Sequence, residues 1–204
     1  VEDIGEERVV GHVPGHRHGD GPVAVDLADL PGSDGAGIVT EVGPGVEASW
    51  EGREVIINPS VDWGHDPRAQ EPRFTILGMP RNGTLAEFVS VPAAQLAPKP
   101  SHLDWAEAAA LPLAGLTAFR AVFGRAHLKA HEKILITGIG GGVALAALGL
   151  ARHLGCTTVV TSRHASKLQR AKALGATHAV LDDGGDWSKA VRQATGRRGV
   201  DVVI

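Results

Sequence analysis

The chain of 204 residues has one cysteine and no tyrosine. The lone Cys156 leaves no partner for an intrachain disulfide and fits a reducing compartment. Without tyrosine, a reductase mechanism that relies on a tyrosine general acid is closed to it. No stretch approaches the roughly 18 apolar residues of a membrane span. Val1-Glu2-Asp3-Ile4-Gly5-Glu6-Glu7 lacks the basic and apolar regions of a signal peptide. A cytoplasmic location is therefore the expectation. Neither charge sign dominates, since 20 Lys and Arg stand against 23 Asp and Glu for a formal net charge of −3. Nucleic acid and anionic membranes are accordingly not expected as partners. A phosphate loop ending in Gly-Lys-Ser/Thr is missing too, because Gly142 is followed by Val143 and Ala144, which sets nucleotide hydrolysis aside.

Glycine, by contrast, is abundant, and its placement in one run carries chemistry. Ile134-Leu135-Ile136-Thr137-Gly138-Ile139-Gly140-Gly141-Gly142-Val143-Ala144 reads as an apolar strand entering a glycine turn and then a helix. Glycine lets the backbone approach a ligand closely and take positive φ at little cost. The helix behind it directs unpaired N–H groups and the positive end of its dipole at an anion. Val143, Ala147, Leu150 and Leu154 form an apolar stripe at helical spacing, and Gly155 is placed to cap the helix. The apolar strand Thr157-Thr158-Val159-Val160-Thr161 follows, completing a βαβ unit of about 30 residues. Gly138, Gly140, Gly141, Gly142 and Val143 are thus candidates for holding a pyrophosphate.

Around this unit the chain changes character. Residues 1–30 show no sustained period beyond a short strand expected near Val23-Ala24-Val25. His12, His16 and His18 invite a metal reading, although a solvated loop suits Gly11 to Gly19 better. From Pro31 short strands alternate with glycine turns: Gly37 to Val42, Glu54 to Ile57, and Leu85 to Val91 launched by Asn82-Gly83. A long loop rich in proline and charge spans residues 58–82. Asp104 with Glu107 makes a capping pair, Pro112 marks a break or restart, and a helix is expected over about 115–125. Strands over 134–137, 157–161, 178–181 and 200–204 then alternate with helices over about 142–154, 165–174 and 186–195. This alternation predicts a parallel sheet covered on both faces. The expected domains are an atypical segment over 1–30, a β domain over 31–100, connecting helices over 101–130 and a dinucleotide-binding half over 131–204. The sequence ends at Ile204 inside an apolar strand. A doubly wound fold has two such halves, so a fragment, or an edge needing a partner, is expected.

Four motifs in order resemble the medium-chain dehydrogenase/reductase family over residues 31–204. They are Pro31-Gly32-Ser33-Asp34-Gly35-Ala36-Gly37, Val42-Gly43-Pro44-Gly45-Val46, Gly83-Thr84-Leu85-Ala86-Glu87-Phe88-Val89 and Ala108 to Ala121. The match is to the zinc-type alcohol dehydrogenase-like and quinone oxidoreductase branches. The resemblance implies an α/β chain, with a partial GroES-like β domain followed by the first half of a Rossmann doubly wound parallel sheet. The β domain would carry the substrate side and the Rossmann domain the cofactor. It also implies Thr117 near the nicotinamide, a role weighed equally against that of a helix threonine bonded to its own backbone. Relatives often dimerise, so a homodimer is an expectation for the full-length protein.

The departures from the family are specific. Zinc members carry a His-Glu pair where this chain has Ser33-Asp34, and four cysteines in the loop corresponding to 58–82, where it has none. Catalytic zinc generally needs three ligands from Cys, His and acidic side chains, so both zinc sites read as lost. Asp62, His65 and Asp66 fit a charged loop better than a weak metal site. Gly52-Arg53 and Ala130-His131 stand where relatives carry Gly-Asp or Gly-Glu turns. Zinc-free relatives transfer hydride from a nicotinamide to quinones or α,β-unsaturated carbonyls. No acid/base catalyst is identified.

The glycine spacing and the second strand bear on cofactor choice. Gly-x-Gly-x-x-Gly fails, because Val143 stands three residues after Gly140. Gly138-x-x-Gly141-x-x-Ala144 fits the quinone-oxidoreductase-like variant. An acidic residue after the second strand would bind the ribose hydroxyl of NAD. Ser162 and Arg163 stand there instead, with Lys167 one turn later. Each charge-assisted bond to a 2′-phosphate contributes about 1.5–3 kcal/mol, which predicts NADPH; the alternative is that Arg163 and Lys167 only solvate a helix start. The reading is a zinc-independent, NADPH-dependent oxidoreductase acting on a small-molecule quinone, enone or related carbonyl. A zinc-type alcohol or aldehyde dehydrogenase and a truncated, non-catalytic NADPH-binding remnant are the alternatives.

Overall fold

Two sheets of opposite construction organise the chain. The computed structural model describes residues 8–12 and 31–204; the strand expected near Val23-Ala24-Val25, together with His16 and His18, lies outside the described residues. The chain divides into two units, Val1–Leu113 and Ala114–Ile204.

The first unit is built on β1 (Arg8–His12), β2 (Ala36–Val42), β3 (Glu54–Ile57), β4 (Ser60–Val61), β5 (Thr75–Leu77), β6 (Pro80–Arg81), β7 (Phe88–Pro92) and β8 (Leu96–Pro98). Five of them form an antiparallel sheet in the order β7-β1-β2-β3-β8. Alternation in β3 and β7 turns Val55, Ile57, Val89 and Val91 into the core, as period-two strands require. Burial of each such side chain contributes about 1.5–3 kcal/mol.

Three differences from the sequence reading have physical causes. β1 was not expected, since Arg8-Val9-Val10-Gly11-His12 is too short to show a period. Pairing on both edges, Val9 with Val42 and with Val91, makes it a strand. The strand expected from Leu85 starts at Phe88, because Thr84 N–H and Leu85 N–H bond to Gly32 O at 2.9 Å and Pro31 O at 3.1 Å. Residues 58–82 are not all loop. β4, β5 and β6 make a three-stranded sheet of strands too short to read as alternation.

α1 (Trp105–Ala109) opens with the expected capping box: Glu107 N–H donates to Asp104 Oδ1 at 2.8 Å, and Asp104 N–H donates to Glu107 Oε2 at 3.2 Å. α2 (Pro112–Phe119) begins at the proline, whose fixed φ suits a first helical position. The helix expected to run regularly to 125 widens over Arg120–Arg125 into a π turn, with Ala126 N–H reaching Ala121 O at 2.9 Å.

The second unit holds β9 (Lys133–Ile136), α3 (Gly142–His153), β10 (Thr157–Ser162), α4 (Ala165–Ala173), β11 (His178–Leu181), α5 (Ser188–Ala194) and β12 (Val202–Val203). The strands are parallel and ordered β11-β10-β9-β12. Ile134, Ile136 and Val160 face one way, into a core with Leu148 and Ala151 of α3 and Leu168 and Ala171 of α4. Leu135, Val159 and Val180 face the other way, against Val191 of α5 and Trp187. The sheet is therefore covered on both faces. A GroES-like β unit followed by a Rossmann-like parallel half is the architecture expected. α5 starts two residues later than expected, because the Asp186 carboxylate accepts Ser188 N–H at 3.2 Å and holds a turn there. Among the described residues, no helix is long and apolar enough to cross a membrane.

Candidate functional site

In the strand order β11-β10-β9-β12 the direction of winding reverses at β9, and ligands of such sheets bind beyond the carboxyl ends of the strands at that reversal. The glycine turn leaves β9 at this place. Thr137, just past β9, donates from its N–H and Oγ1 to Ile204 O at 2.8 and 3.1 Å, tying the end of β9 to the segment after β12. The turn hangs from the end of β10. Ile139 N–H donates to Thr161 O at 2.8 Å and Gly138 N–H to Thr161 Oγ1 at 3.3 Å. Ile139, nearly fully buried, plugs the turn into the core.

The glycines have separate reasons. Gly138 and Gly140 have φ of +64° and +126°, and at Gly140 only glycine is at ease. At Gly142 a Cβ would stand 3.0 Å from Ala114 Cβ of α2, so close helix packing accounts for it. Gly141 has neither reason: its φ is −86°, and nothing lies within 4 Å of where a Cβ would stand. It is the N-cap of α3 and makes no side-chain cap. The first-turn N–H groups of a helix, here those of Gly142 and Val143, have no partner inside it. The open space at Gly141 and these donors fit the pyrophosphate of a dinucleotide.

The residues after β10 gather at the same end. Ser162 is buried, and its Oγ accepts His164 N–H at 3.2 Å, shaping the loop that presents Arg163. Arg163 is exposed and, among the described residues, has no ion-pair or hydrogen-bond partner. Lys167, in the first turn of α4, folds its stem over the glycine turn; its Cδ lies 2.7 Å and its Nζ 3.4 Å from the Cβ position of Gly140. Its ammonium has no partner among the described residues. Thr117 is exposed on α2, one turn after Ala114. Residues at this spacing share a helix face, so the contact of Ala114 with Gly142 brings Thr117 toward the start of α3.

Thr161 and Ala114 were not singled out from sequence. Thr161 is one of three threonines in β10, so neither it nor Ala114 carried a distinguishing signal.

In the first unit, Ser33 Oγ donates to Leu77 O at 2.7 Å, and the Asp34 carboxylate accepts Leu113 N–H at 2.9 Å. Thr84 Oγ1 donates to Asp34 O. These side chains clasp the segment in place. In the 58–82 region Asp62 pairs with Arg81, Asp66 with Arg68, and His65 with Glu71. His65, through its backbone N–H first and its ring second, holds the Glu71 carboxyl below its usual range. Among the described residues no three His, Cys, Asp or Glu converge to hold a metal ion. The donor set of a catalytic zinc does not fit the side chains at Ser33 and Asp34.

Comparison with known proteins agrees with this architecture. The alcohol dehydrogenase GroES-like domain matches residues 10–101, and the zinc-binding dehydrogenase model matches residues 142–204. The zinc-type alcohol dehydrogenase-like protein YogA of Leptosphaeria maculans is 36% identical over 177 residues, 78% of this chain and 48% of that protein. The chloroplastic NADPH-dependent alkenal/one oxidoreductase of Arabidopsis thaliana is 36% identical over 155 residues, 76% of this chain and 37% of that protein. A solved NAD-dependent alcohol dehydrogenase superposes with a TM-score of 0.84 at 38% identity, over 100% of this chain and 64% of that one. The chain thus spans about half the length, or less, of the curated relatives it matches. With both characteristic domains present in order, and the glycine turn at the sheet's reversal, the chain belongs to the medium-chain dehydrogenase/reductase family.

Proposed function

We propose that the protein is an NADPH-dependent, zinc-independent oxidoreductase that delivers hydride to a quinone, enone or related small carbonyl compound. The observation that carries the cofactor choice is a pair of cations after β10 with no partner among the described residues, Arg163 in the loop and Lys167 over Gly140, together with the open space at Gly141. No acidic side chain follows β10 to accept a ribose hydroxyl, and a 2′-phosphate dianion complements the cations in its place. The bound nicotinamide supplies the hydride, and the protein binds and orients it. The first-turn N–H groups of α3 receive the pyrophosphate, the Ser162–His164 loop presents Arg163, and Thr117 positions the ring.

For the acceptor class, the engagement of Ser33 and Asp34 in a structural clasp argues against zinc and for hydrogen-bond polarisation of a carbonyl. The alkenal/one oxidoreductase from Arabidopsis supports the same reading. The zinc-type alcohol dehydrogenase-like relative favours alcohol oxidation as the second reading. Titration of both cofactors into the unmodified chain and its Arg163→Asp variant tests the cofactor choice: the preference for NADPH over NADH reverses. A variant that still prefers NADPH refutes it. Turnover with quinone and enone acceptors persists in the presence of a chelator; chelator-sensitive alcohol oxidation would install the second reading instead.

A further inference from the structure

We propose that the outer face of α5 and the turn after it bind a small phosphorylated anion, one carrying a di- or triphosphate group. Lys189, Arg192, Gln193 and Arg197 line an open hollow of about 540 Å³, and no carboxylate lines it. The hollow belongs to the sheet face covered by Val191 and Trp187, whereas α3 and α4 cover the other face. Backbone geometry brings the cations together. Arg197 N–H donates to Arg192 O at 2.6 Å, folding the chain back at the end of α5. Gly196 and Arg197 take φ of +67° and +65° in succession. Glycine adopts that conformation freely, but a long side chain does so rarely. A place in the last turn of α5 gives Arg192 a structural reason, since a cation suits the negative end of a helix. Arg197 has no such reason, and a second glycine would make the turn with less strain.

Neighbouring cations show what a structural role looks like. Lys133 Nζ donates to Thr195 O at 2.9 Å, and Arg198 pairs with Asp201 at 2.8 Å. The guanidinium groups of Arg192 and Arg197 have no partner among the described residues, and Lys189 has an exposed contact with Asp186 at 3.8 Å. The chain as a whole carries a formal charge of −3, so this positive field is local. Residues one helical turn apart have Cβ atoms about 5–6 Å apart, which lets the three head groups converge on one polyphosphate. Each guanidinium offers a planar fork to a phosphoryl group, and the ammonium adds a compact charge. Concavity favours a small ligand over the flat face of a macromolecule.

The test is titration of inorganic pyrophosphate, against sodium chloride of equal ionic strength, into the unmodified chain, Arg192→Gln and Arg197→Gly, followed by the backbone amide resonances. The amides of residues 189–197 are expected to shift with pyrophosphate and not with chloride, whatever the glycine turn over 138–143 does in the same titration. Each variant weakens that response about tenfold, the loss of one charge-assisted contact. Thermal melts supply a second readout. Arg197→Gly is expected to melt higher, because glycine suits a φ of +65°, even as its affinity falls. A structural arginine would move the melt the other way. The proposal is overturned if pyrophosphate shifts only residues 138–143, or if chloride reproduces the shifts at 189–197. It is overturned as well if both variants bind as the unmodified chain does. A glutamate-rich peptide that shifts 189–197 where pyrophosphate does not would replace it with an acidic protein partner.

Discussion

The stem of Lys167 lies across Gly140, with Cδ 2.7 Å from the place a Cβ would occupy. The side chain comes from the start of α4, the glycine from the turn after β9, and β10 stands between them in sequence. Two segments of the βαβα succession are thus joined at the point where a dinucleotide would lie. The contact separates what glycine does for the fold from what it does for a ligand.

Gly140→Ala forces an alanine to a φ of +126° and into the lysine stem, so it is expected to cost about 1–3 kcal/mol of stability as well as cofactor affinity. Gly141→Ala meets no atom within 4 Å and has an ordinary φ. It changes stability by less than about 1 kcal/mol, since glycine and alanine differ modestly at an N-cap. It nevertheless lowers NADPH affinity by about tenfold or more, because one lost anion contact is of that size. Urea denaturation beside NADPH titration checks both. Full affinity in Gly141→Ala would show that the open space there is not a binding surface.

Asp34 accepts Leu113 N–H in the first turn of α2, acting as a cap delivered from a distant segment. Asp34→Ala is expected to lower stability by about 0.5–2 kcal/mol, the usual cost of losing a helix cap. Asp34→Asn keeps an accepting oxygen and most of the stability. Added zinc leaves the melting midpoint of the unmodified chain where it was. A marked rise on zinc addition that Asp34→Ala abolishes would make the residue a ligand.

Asp201 and Lys133 clamp β12 to β9: Asp201 N–H donates to Lys133 O at 2.8 Å, and Lys133 N–H donates to Asp201 Oδ2 at 2.8 Å. That backbone donor, and then the Arg198 guanidinium, hold the Asp201 carboxyl below its usual range. A carboxyl so depressed binds fewer protons folded than unfolded in that range. Its stabilisation is therefore complete above the unfolded pKa of about 3.9 and is lost as pH falls through the lower folded value. Urea midpoints at pH 6 and pH 3 should fall further apart for the unmodified chain than for Asp201→Asn. Equal falls would remove Asp201 from the acid response.

Much of the second unit was legible because its signals are local. The apolar runs at Ile134 and Thr157 and the stripe Val143, Ala147, Leu150 and Leu154 each lie within a window of a few turns, as does the Asp104–Glu107 capping pair of the first unit. The elements of the second unit appear within two residues of their expected bounds, with the ladder of the last strand confined to Val202–Val203. The β1 strand was not legible, because its five residues owe their conformation to β2 and β7. The short sheet of β4, β5 and β6 was hidden for the same reason. At the candidate site the glycines and Arg163 stood out by type and position, whereas Thr161 acts through bonds to residues some twenty positions earlier.

The sequence by itself determined that strands and helices alternate, that both faces of the parallel sheet are apolar, and that a glycine turn opens the helix after the first strand of that sheet. Periodicity, propensity and capping act between near neighbours, and composition within a short segment decides them. Only the tertiary structure decided that β12 lies beside β9 and not beyond β11, that Asp34 caps Leu113, and that Lys167 reaches Gly140. Those pairings join segments far apart in the chain, where the outcome depends on which arrangement buries the apolar faces and satisfies the backbone groups together. No single window of residues contains that sum.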